Sequence, residues 1–333
     1  MNEYAVGIDV SKLKLDICVA SSAKVKTKVV KNSPAGHQQL LDWLVARKLP
    51  AETPVVLEAT GPYSESVGIA LADAGWRVSI INPARLKGFA QSELTRNKTD
   101  RADAHLLARF AQRADLTPWQ PPSLAERELR ALVDRLQALQ SMHQQEANRL
   151  EALAQGTPSR VTDRVKAHMA WLKKEIAKIE KDINDHIDGH PELKQDAELI
   201  RSVPGCGPRF TAQFLAYIGD ARRFKNAKAL AAYIGVTPKH RLSGTSVKGR
   251  TMLSRTGHAA ARRALYMPGL VAKRHNPVIA VFAQRLQQRG LAPKAIVGAS
   301  MRKLVHLIYG VLKSGQPFNA DIPLQRVAIQ DGI

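Results

Sequence analysis

Only two cysteines occur in the 333 residues, Cys18 and Cys206. That is too few for a disulfide framework or a cysteine-based zinc site, and it fits a reducing, cytoplasmic setting. No uninterrupted run of about 18 apolar residues is present, so no membrane span and no membrane partner are expected. The first residues, Met1-Asn2-Glu3-Tyr4, lack the basic-then-apolar layout of an export signal. Aromatic residues make up only 5%, which argues against stacking of bases on aromatic platforms as a main binding mode. Acids are scarce in one place. Residues 201–333 hold three, Asp220, Asp321 and Asp331, against 22 Lys and Arg, whereas residues 1–200 hold 26 against 28.

What is present follows from that imbalance. Nearly all of the formal charge of +21 sits in the last third, which should attract a polyanion by neutralising its phosphates. A site for two Mg²⁺ needs several oxygen ligands, mostly carboxylates. The last third has too few acids to build one, so any such site belongs to the first 200 residues.

The opening stretch alternates as strands do. Ala5-Val6-Gly7-Ile8-Asp9-Val10, Leu15-Asp16-Ile17-Cys18-Val19-Ala20 and Lys24-Val25-Lys26-Thr27-Lys28-Val29-Val30 are separated by short turns and predict an antiparallel meander. A helix from Ala35 to Lys48 follows, then a strand Pro54–Glu58, a helix Ser64–Ala74 and a strand Trp76–Ile81. Two more helices are expected, Ala84–Gln91 and Thr99–Arg113. This order is that of an RNase H-like α/β domain, assigned to residues 1–120. After the break Leu116-Thr117-Pro118-Trp119-Gln120-Pro121-Pro122, the capping-box pair Ser123 and Glu126 opens a long helix. It carries Leu129, Leu132, Leu136, Leu139, Leu150 and Leu153 in heptads that His143 and Glu146 interrupt. A second long helix places Val165, Met169, Leu172, Ile176, Ile179, Ile183 and Ile187 at the same spacing. Residues 121–192 therefore read as a coiled-coil hairpin, pairing between subunits or packing on its own domain. Residues 193–333 read as a mostly helical basic domain. In it Asn276-Pro277 starts one helix, and another runs from Pro293 to Lys313.

Asp9 lies among apolar neighbours in a strand that should be buried, and Glu58 ends a second such strand. A buried carboxylate is costly unless paired or bound to metal. Asp100 and Asp103 sit three apart on one helix face. In the proposed fold these elements converge, and four acids there would bind two Mg²⁺ for phosphoryl chemistry. Val203-Pro204-Gly205-Cys206-Gly207 resembles a helix-hairpin-helix turn, in which Gly205 and Gly207 would bring backbone N–H groups to a phosphate. Ser243-Gly244-Thr245-Ser246 reads as a loop ringed by Lys239, His240, Arg241, Lys248, Arg250 and Arg255, with Arg262 and Arg263 close by in sequence. A hydroxyl among cations can attack a phosphodiester, but such a loop ordinarily only binds phosphate. Spacing does not separate Ser243 from Ser246 or Ser254.

These motifs, in order, resemble the DEDD-type insertion-sequence transposases of the bridge-RNA-guided recombinase group. The likeness is carried by Gly7-Ile8-Asp9, Leu57-Glu58-Ala59-Thr60-Gly61-Pro62-Tyr63, Ile81-Asn82-Pro83 and Asn97-Lys98-Thr99-Asp100-Arg101-Ala102-Asp103-Ala104. It continues through Pro204-Gly205-Cys206-Gly207, Gly235-Val236-Thr237-Pro238, Ser243-Gly244-Thr245-Ser246-Val247-Lys248-Gly249 and Arg262-Arg263-Ala264-Leu265-Tyr266-Met267-Pro268. The resemblance implies a RuvC-like domain joined by a coiled coil to a C-terminal transposase domain. It implies that Asp9, Glu58, Asp100 and Asp103 are the family's four acids and that Ser243 is its nucleophile, forming a phosphoserine link. It implies tetramers, as dimers of dimers, acting on target and donor DNA with a structured bridge RNA as guide.

Two rival readings carry different expectations. A Holliday-junction endonuclease would direct water with the same acids and need no serine, and a silent nucleic-acid-binding protein would keep the acids for structure alone. If the basic last third neutralises several phosphates, DNA affinity should fall about a hundredfold or more between roughly 50 and 200 mM salt. A salt titration that leaves affinity flat would contradict the phosphate reading.

Overall fold

Alternation of side chains along the first strands decides how the N-terminal half packs. The computed structural model describes residues 3–22, 24–50, 52–93, 99–154, 156, 159–243 and 247–321. They form two compact units, Met1–Pro121 and Pro122–Ile333. In the first, β1 (Tyr4–Val10), β2 (Lys14–Ser21) and β3 (Val25–Lys31) form the expected antiparallel meander. The helix α1 (Pro34–Val45) leads to β4 (Pro54–Glu58), α2 (Pro62–Asp73) to β5 (Arg77–Ile81), and α3 (Pro83–Ser92) and α4 (Asp100–Arg113) complete the unit. The sheet order is β3-β2-β1-β4-β5, with β4 and β5 parallel to β1 and β2 antiparallel to it. That order and those directions are the RNase H-like arrangement the sequence predicts.

Each face of this sheet has its own chemistry. Val6, Ile8, Val10, Leu15, Ile17 and Val19 pack with Leu40 and Leu44 of α1 and Val67 and Leu71 of α2. On the opposite face the residues are small: Cys18 and Ala20 of β2 meet Ala104 and Ala108 of α4. Gly7 lies at the closest approach. A Cβ there would intrude on the backbone at Ala104 O and Ala108 N, so the absence of a side chain is what lets α4 lie directly on β1. The start of α4 is fixed by Thr99, whose side chain accepts from Ala102 N, an N-cap bond that satisfies one orphan donor. Its other end is tied to α3 through Glu93, which bonds Arg109 and Arg113.

The second unit is helical. Its long helices α5 (Leu124–Leu153) and α6 (Ser159–Gly189) run antiparallel, since His186 bonds Ala125 O near one end and His168 meets Glu146 near the other. The capping box of Ser123 and Glu126 is formed at the start of α5. The buried Glu146 that interrupts the heptad is held by Arg149 at 2.6 Å and by His168 Nδ1 at 3.3 Å. Leu129, Val133, Leu136, Ile183 and Ile187 of this pair join one core with the helices that follow. Those are α7 (Pro191–Ser202), α8 (Pro208–Ile218), α9 (Ala227–Ile234), α10 (Ala259–Ala264), α11 (Tyr266–His275), α12 (Pro277–Gln288) and α13 (Pro293–Ser314). By length and composition α13 could cross a membrane. Yet Val297, Met301, Leu304, Val305, Ile308 and Leu312 are buried in the core of this unit, which accounts for its apolarity.

One sequence expectation is corrected here. The stretch around Ser243 read as a loop, but the chain forms a β-hairpin, β6 (Pro238–Ser243) with β7 (Val247–Leu253). Ser243 pairs with Val247 and Leu242 with Lys248 in its register. The strands carry basic and polar residues in place of alternating apolar ones, so the period-two signal is absent. Gly244, Thr245 and Ser246 lie outside the described residues, as do the side chains of residues 240–251.

The seat of α4 gives a direct test. Gly7→Ala should cost on the order of 1–3 kcal/mol through overpacking, read as a lower midpoint in urea denaturation. An unchanged midpoint would show that α4 does not depend on that contact.

Candidate metal centre and nucleic-acid interface

On β1 the residues facing α4 are Ala5, Gly7 and Asp9, by simple alternation. Gly7 supports the middle of α4, so Asp9, two residues further on, faces the start of that helix, where Asp100 and Asp103 lie. The β1–β2 register places Asp9 directly opposite Asp16. Two like charges facing each other across a strand pair are unfavourable without a counter-charge. On β4, Val56 packs on the α4 side with Ala5, and Glu58 follows it two residues later on that side.

Carboxylate oxygens of Asp9, Asp16 and Asp100 all lie within 4.8 Å of one another. Burial, then Asp103, Asp100, Asp16 and Glu58 in that order, push the Asp9 carboxyl up to about 6. All four sequence-predicted acids thus act on one point, and Asp16 adds a fifth. Lys14 bridges two of them, its Nζ 3.0 Å from Asp16 and 2.8 Å from Asp100. It holds the Asp100 carboxyl below its usual range, and the two carboxylates raise the lysine. The α4 N-terminus adds partial positive charge near Asp100 and Asp103. Asn97 and Lys98, part of the motif before Asp100, lie outside the described residues.

Asp16 was legible in principle. Its place in the alternation of β2, combined with a turn that pairs Val10 with Leu15, puts it on the face of Asp9. The donor set itself is all oxygen and mutually repelling, which suits a hard divalent cation. A cation there would relieve the repulsion that raises Asp9.

The second unit presents the basic residues. In the turn between α7 and α8, Gly205 has φ +107°, and a Cβ on it would lie 2.8 Å from that of Ala272. Packing against α11 therefore requires this glycine. Buried Asn276 holds the same turn, donating to Pro204 O at 3.2 Å while accepting from Ile279 N at 3.1 Å. Gly207, the residue before α8, faces open space. A cavity of about 700 Å³ opens beside it, lined by Gly205, Arg209, Gln140, Arg263 and Met267 among others. Lys239, Arg255 and Arg263 are exposed. Arg262 is committed internally, donating to Ile234 O at 3.1 Å at the end of α9. Arg241, Lys248 and Arg250 lie on the β6–β7 hairpin, their side chains outside the described residues. Ser254 Oγ accepts from Thr237 Oγ1 at 3.2 Å.

With this geometry in place, comparison with known proteins is specific. A family model described as Transposase, of the DEDD IS110 type, matches residues 6–157. Another, described as Transposase IS116/IS110/IS902 family, matches residues 197–284. A pilin gene-inverting protein of Moraxella bovis is 32% identical over 324 residues, which cover 97% of this chain and 99% of that protein. The transposase for insertion sequence element IS1111A of Coxiella burnetii is 23% identical over 284 residues, 74% of each chain. T. thermophilus RuvC in complex with a Holliday junction substrate is similar over 35% of this chain and 100% of its own, at 19% identity and a TM-score of 0.27. The fold assignment rests on strand order and not on that match. The chain belongs to the IS110-type family of DEDD transposases, and it is an enzyme of DNA transposition and recombination.

The raised Asp9 has a pH signature. Its folded value lies above the ordinary 3.8, so its contribution to stability is present below that value and lost as pH rises through about 6. In metal-free protein, Asp9→Asn should raise Tm near neutral pH and leave it nearly unchanged in acid. Thermal melts in chelator at the two pH values check this, and equal effects at both would contradict the crowding of carboxylates.

Proposed function

We propose that this transposase cleaves and rejoins target and donor DNA with a divalent cation, Mg²⁺ by preference, held by Asp9, Glu58, Asp100 and Asp103. The observation that carries this is the convergence of carboxylates on Asp9, whose carboxyl is pushed up first by burial and then by those neighbouring acids. When bound, the cation polarises phosphate oxygen and stabilises charge on the attacked and leaving oxygens. Asp9 and Glu58 fix its position from rigid strands, Asp100 and Asp103 from the start of a capped helix. Lys14, already bonded to Asp16 and Asp100, must yield or share these oxygens when the cation enters.

The serine arm of the proposal rests on the resemblance of Ser243 to the family's nucleophile. Its hydroxyl attacks a backbone phosphorus, forming a phosphoserine bond as a strand-end hydroxyl leaves with the proton. A hydroxyl of the second duplex then attacks that phosphorus and releases the serine. The surrounding cations, among them Lys239 and Arg255, offset charge on the phosphate. The name of the Moraxella bovis relative, a pilin gene-inverting protein, accords with strand exchange over simple cutting. We place the RuvC-like catalytic domain at residues 1–120, a coiled-coil hairpin at 121–192 and a transposase domain at 193–333. We assign target and donor choice to a bound bridge RNA, assembly to tetramers with sites shared between subunits, and location to the cytoplasm at the nucleoid.

Ser243→Ala should bind nucleic acid as the parent does and form no covalent protein–DNA adduct. Mixed with an Asp9→Asn protein, it should recover part of the cleavage, because mixed tetramers hold some intact pairs. Cleavage by Ser243→Ala alone, without adduct, would replace serine by water as nucleophile. An adduct mapped by mass spectrometry to Ser254 would move the assignment and keep the mechanism.

A further inference from the structure

Helices α9 and α12 both pack against α13 in the second unit, and basic side chains gather along these contacts. Lys228 comes from α9, Arg285 from α12, and Arg302, Lys303 and His306 from adjacent turns of α13. Lys228 is exposed, and the other four are half-buried. Both Lys303 Nζ and Arg285 Cζ lie 5.9 Å from the ring centre of Phe282, so two positive groups share one aromatic ring. Arg302 Nε and His306 Nε2 are buried with no hydrogen-bond partner among the described residues.

Among the described residues, no carboxylate pairs with Lys228, Arg302 or Lys303. Burial, followed by Arg302, Lys303 and Lys228, pushes His306 down to about 4. Burial and Arg285 lower Lys303. The acids of residues 201–333 number three. Asp220 is bound to Arg222 at 3.1 Å, Asp321 is exposed at the end of the described chain, and Asp331 lies outside the described residues. Arg222 shows how this unit treats a buried cation when it needs internal balance: Asp196 meets it at 2.6 Å, and Asp220 meets it too. Half-buried like charges with orphaned donors are costly when left uncompensated. Lys303 and Arg302 would serve solubility equally well pointing outward, so the arrangement calls for an external anion with several acceptor oxygens.

We propose that the face built by Lys228, Arg285, Arg302, Lys303 and His306 binds the phosphodiester backbone of a nucleic acid. None of its residues belongs to the turn at Gly205–Gly207 or to the β6–β7 hairpin, so it is an additional phosphate contact in the same unit. The proposal rests on the reading of the chain as a nucleic-acid-handling recombinase. Arginine and lysine supply charge-assisted hydrogen bonds to phosphate oxygens, and the buried Nε of Arg302 and Nε2 of His306 gain acceptors when one enters.

The test measures affinity of the full chain against salt, for a DNA duplex and for an RNA hairpin. Each phosphate neutralised contributes about 0.9 to the slope of log affinity on log salt for duplex DNA. The triple variant Lys228→Gln, Arg302→Gln, Lys303→Gln should therefore lose about 2 to 3 from the slope on the polymer that occupies the face. The charge-conserving pair Arg302→Lys, Lys303→Arg should keep the parent slope. If the triple variant melts early, Lys228→Gln alone, at an exposed position, should still lose about 1. A loss with one polymer only names the occupant as DNA or RNA. A parent slope retained by these variants on both polymers overturns the proposal. So does a rise in Tm with inorganic phosphate that these variants abolish while both polymer slopes stand, since the face would then hold free phosphate only. Should the parent itself bind neither polymer with salt dependence, the recombinase reading fails first.

Discussion

The candidate site depends on one close contact, the seating of α4 directly on β1 at Gly7. Small residues on both sides, Cys18, Ala20, Ala104 and Ala108, let the helix backbone approach the strand. That approach sets the start of α4 beside the C-terminal end of β1. Any larger residue at Gly7 would lift the helix, and Asp100 and Asp103 with it. The same sheet face brings Asp16 and Glu58 toward Asp9 by alternation alone, so the packing that stabilises the unit also concentrates its negative charge. The enzyme's fold and its carboxylate cluster are two consequences of one steric fact.

Concentrated charge has a cost that the chain divides between partners. Lys14 and the N-terminal end of α4 offset part of it, and at Asp9 burial together with the neighbouring acids pushes the carboxyl up to about 6. The second unit shows the opposite imbalance. There, Lys228 of α9 crowds Arg302 and Lys303 of α13 around His306, while Arg222 takes two carboxylates. A carboxylate cluster in the first unit and a cationic one in the second fit a protein whose counter-charges are a metal cation and a polyphosphate.

Much of the first unit was readable from sequence because its strands alternate cleanly and its helices begin with recognisable caps. Asp9, Glu58, Asp100 and Asp103 stood out as acids on elements that should converge. Asp16 was overlooked because an acid in an alternating strand ordinarily faces solvent, and only the hairpin register shows that it faces Asp9. The β6–β7 hairpin was missed because its strands are basic and polar, with no apolar face to mark the period. Gly205 illustrates a different confusion: a glycine in a basic turn reads as a phosphate contact, yet its positive φ and the nearness of Ala272 require it for packing. The heptad break at Glu146 was visible, but its reason, pairing with Arg149 and His168 across α5 and α6, is tertiary.

The carboxylates around Asp9 are proposed to hold a divalent cation. Anomalous diffraction from crystals of the protein soaked in Mn²⁺ addresses this most directly, because manganese takes the same oxygen ligands as magnesium. An anomalous peak is expected within coordination distance of Asp9 and at least two of Glu58, Asp16, Asp100 and Asp103, with Lys14 drawn away from it. A map with no peak there, and Lys14 still bridging Asp16 and Asp100, would contradict the account.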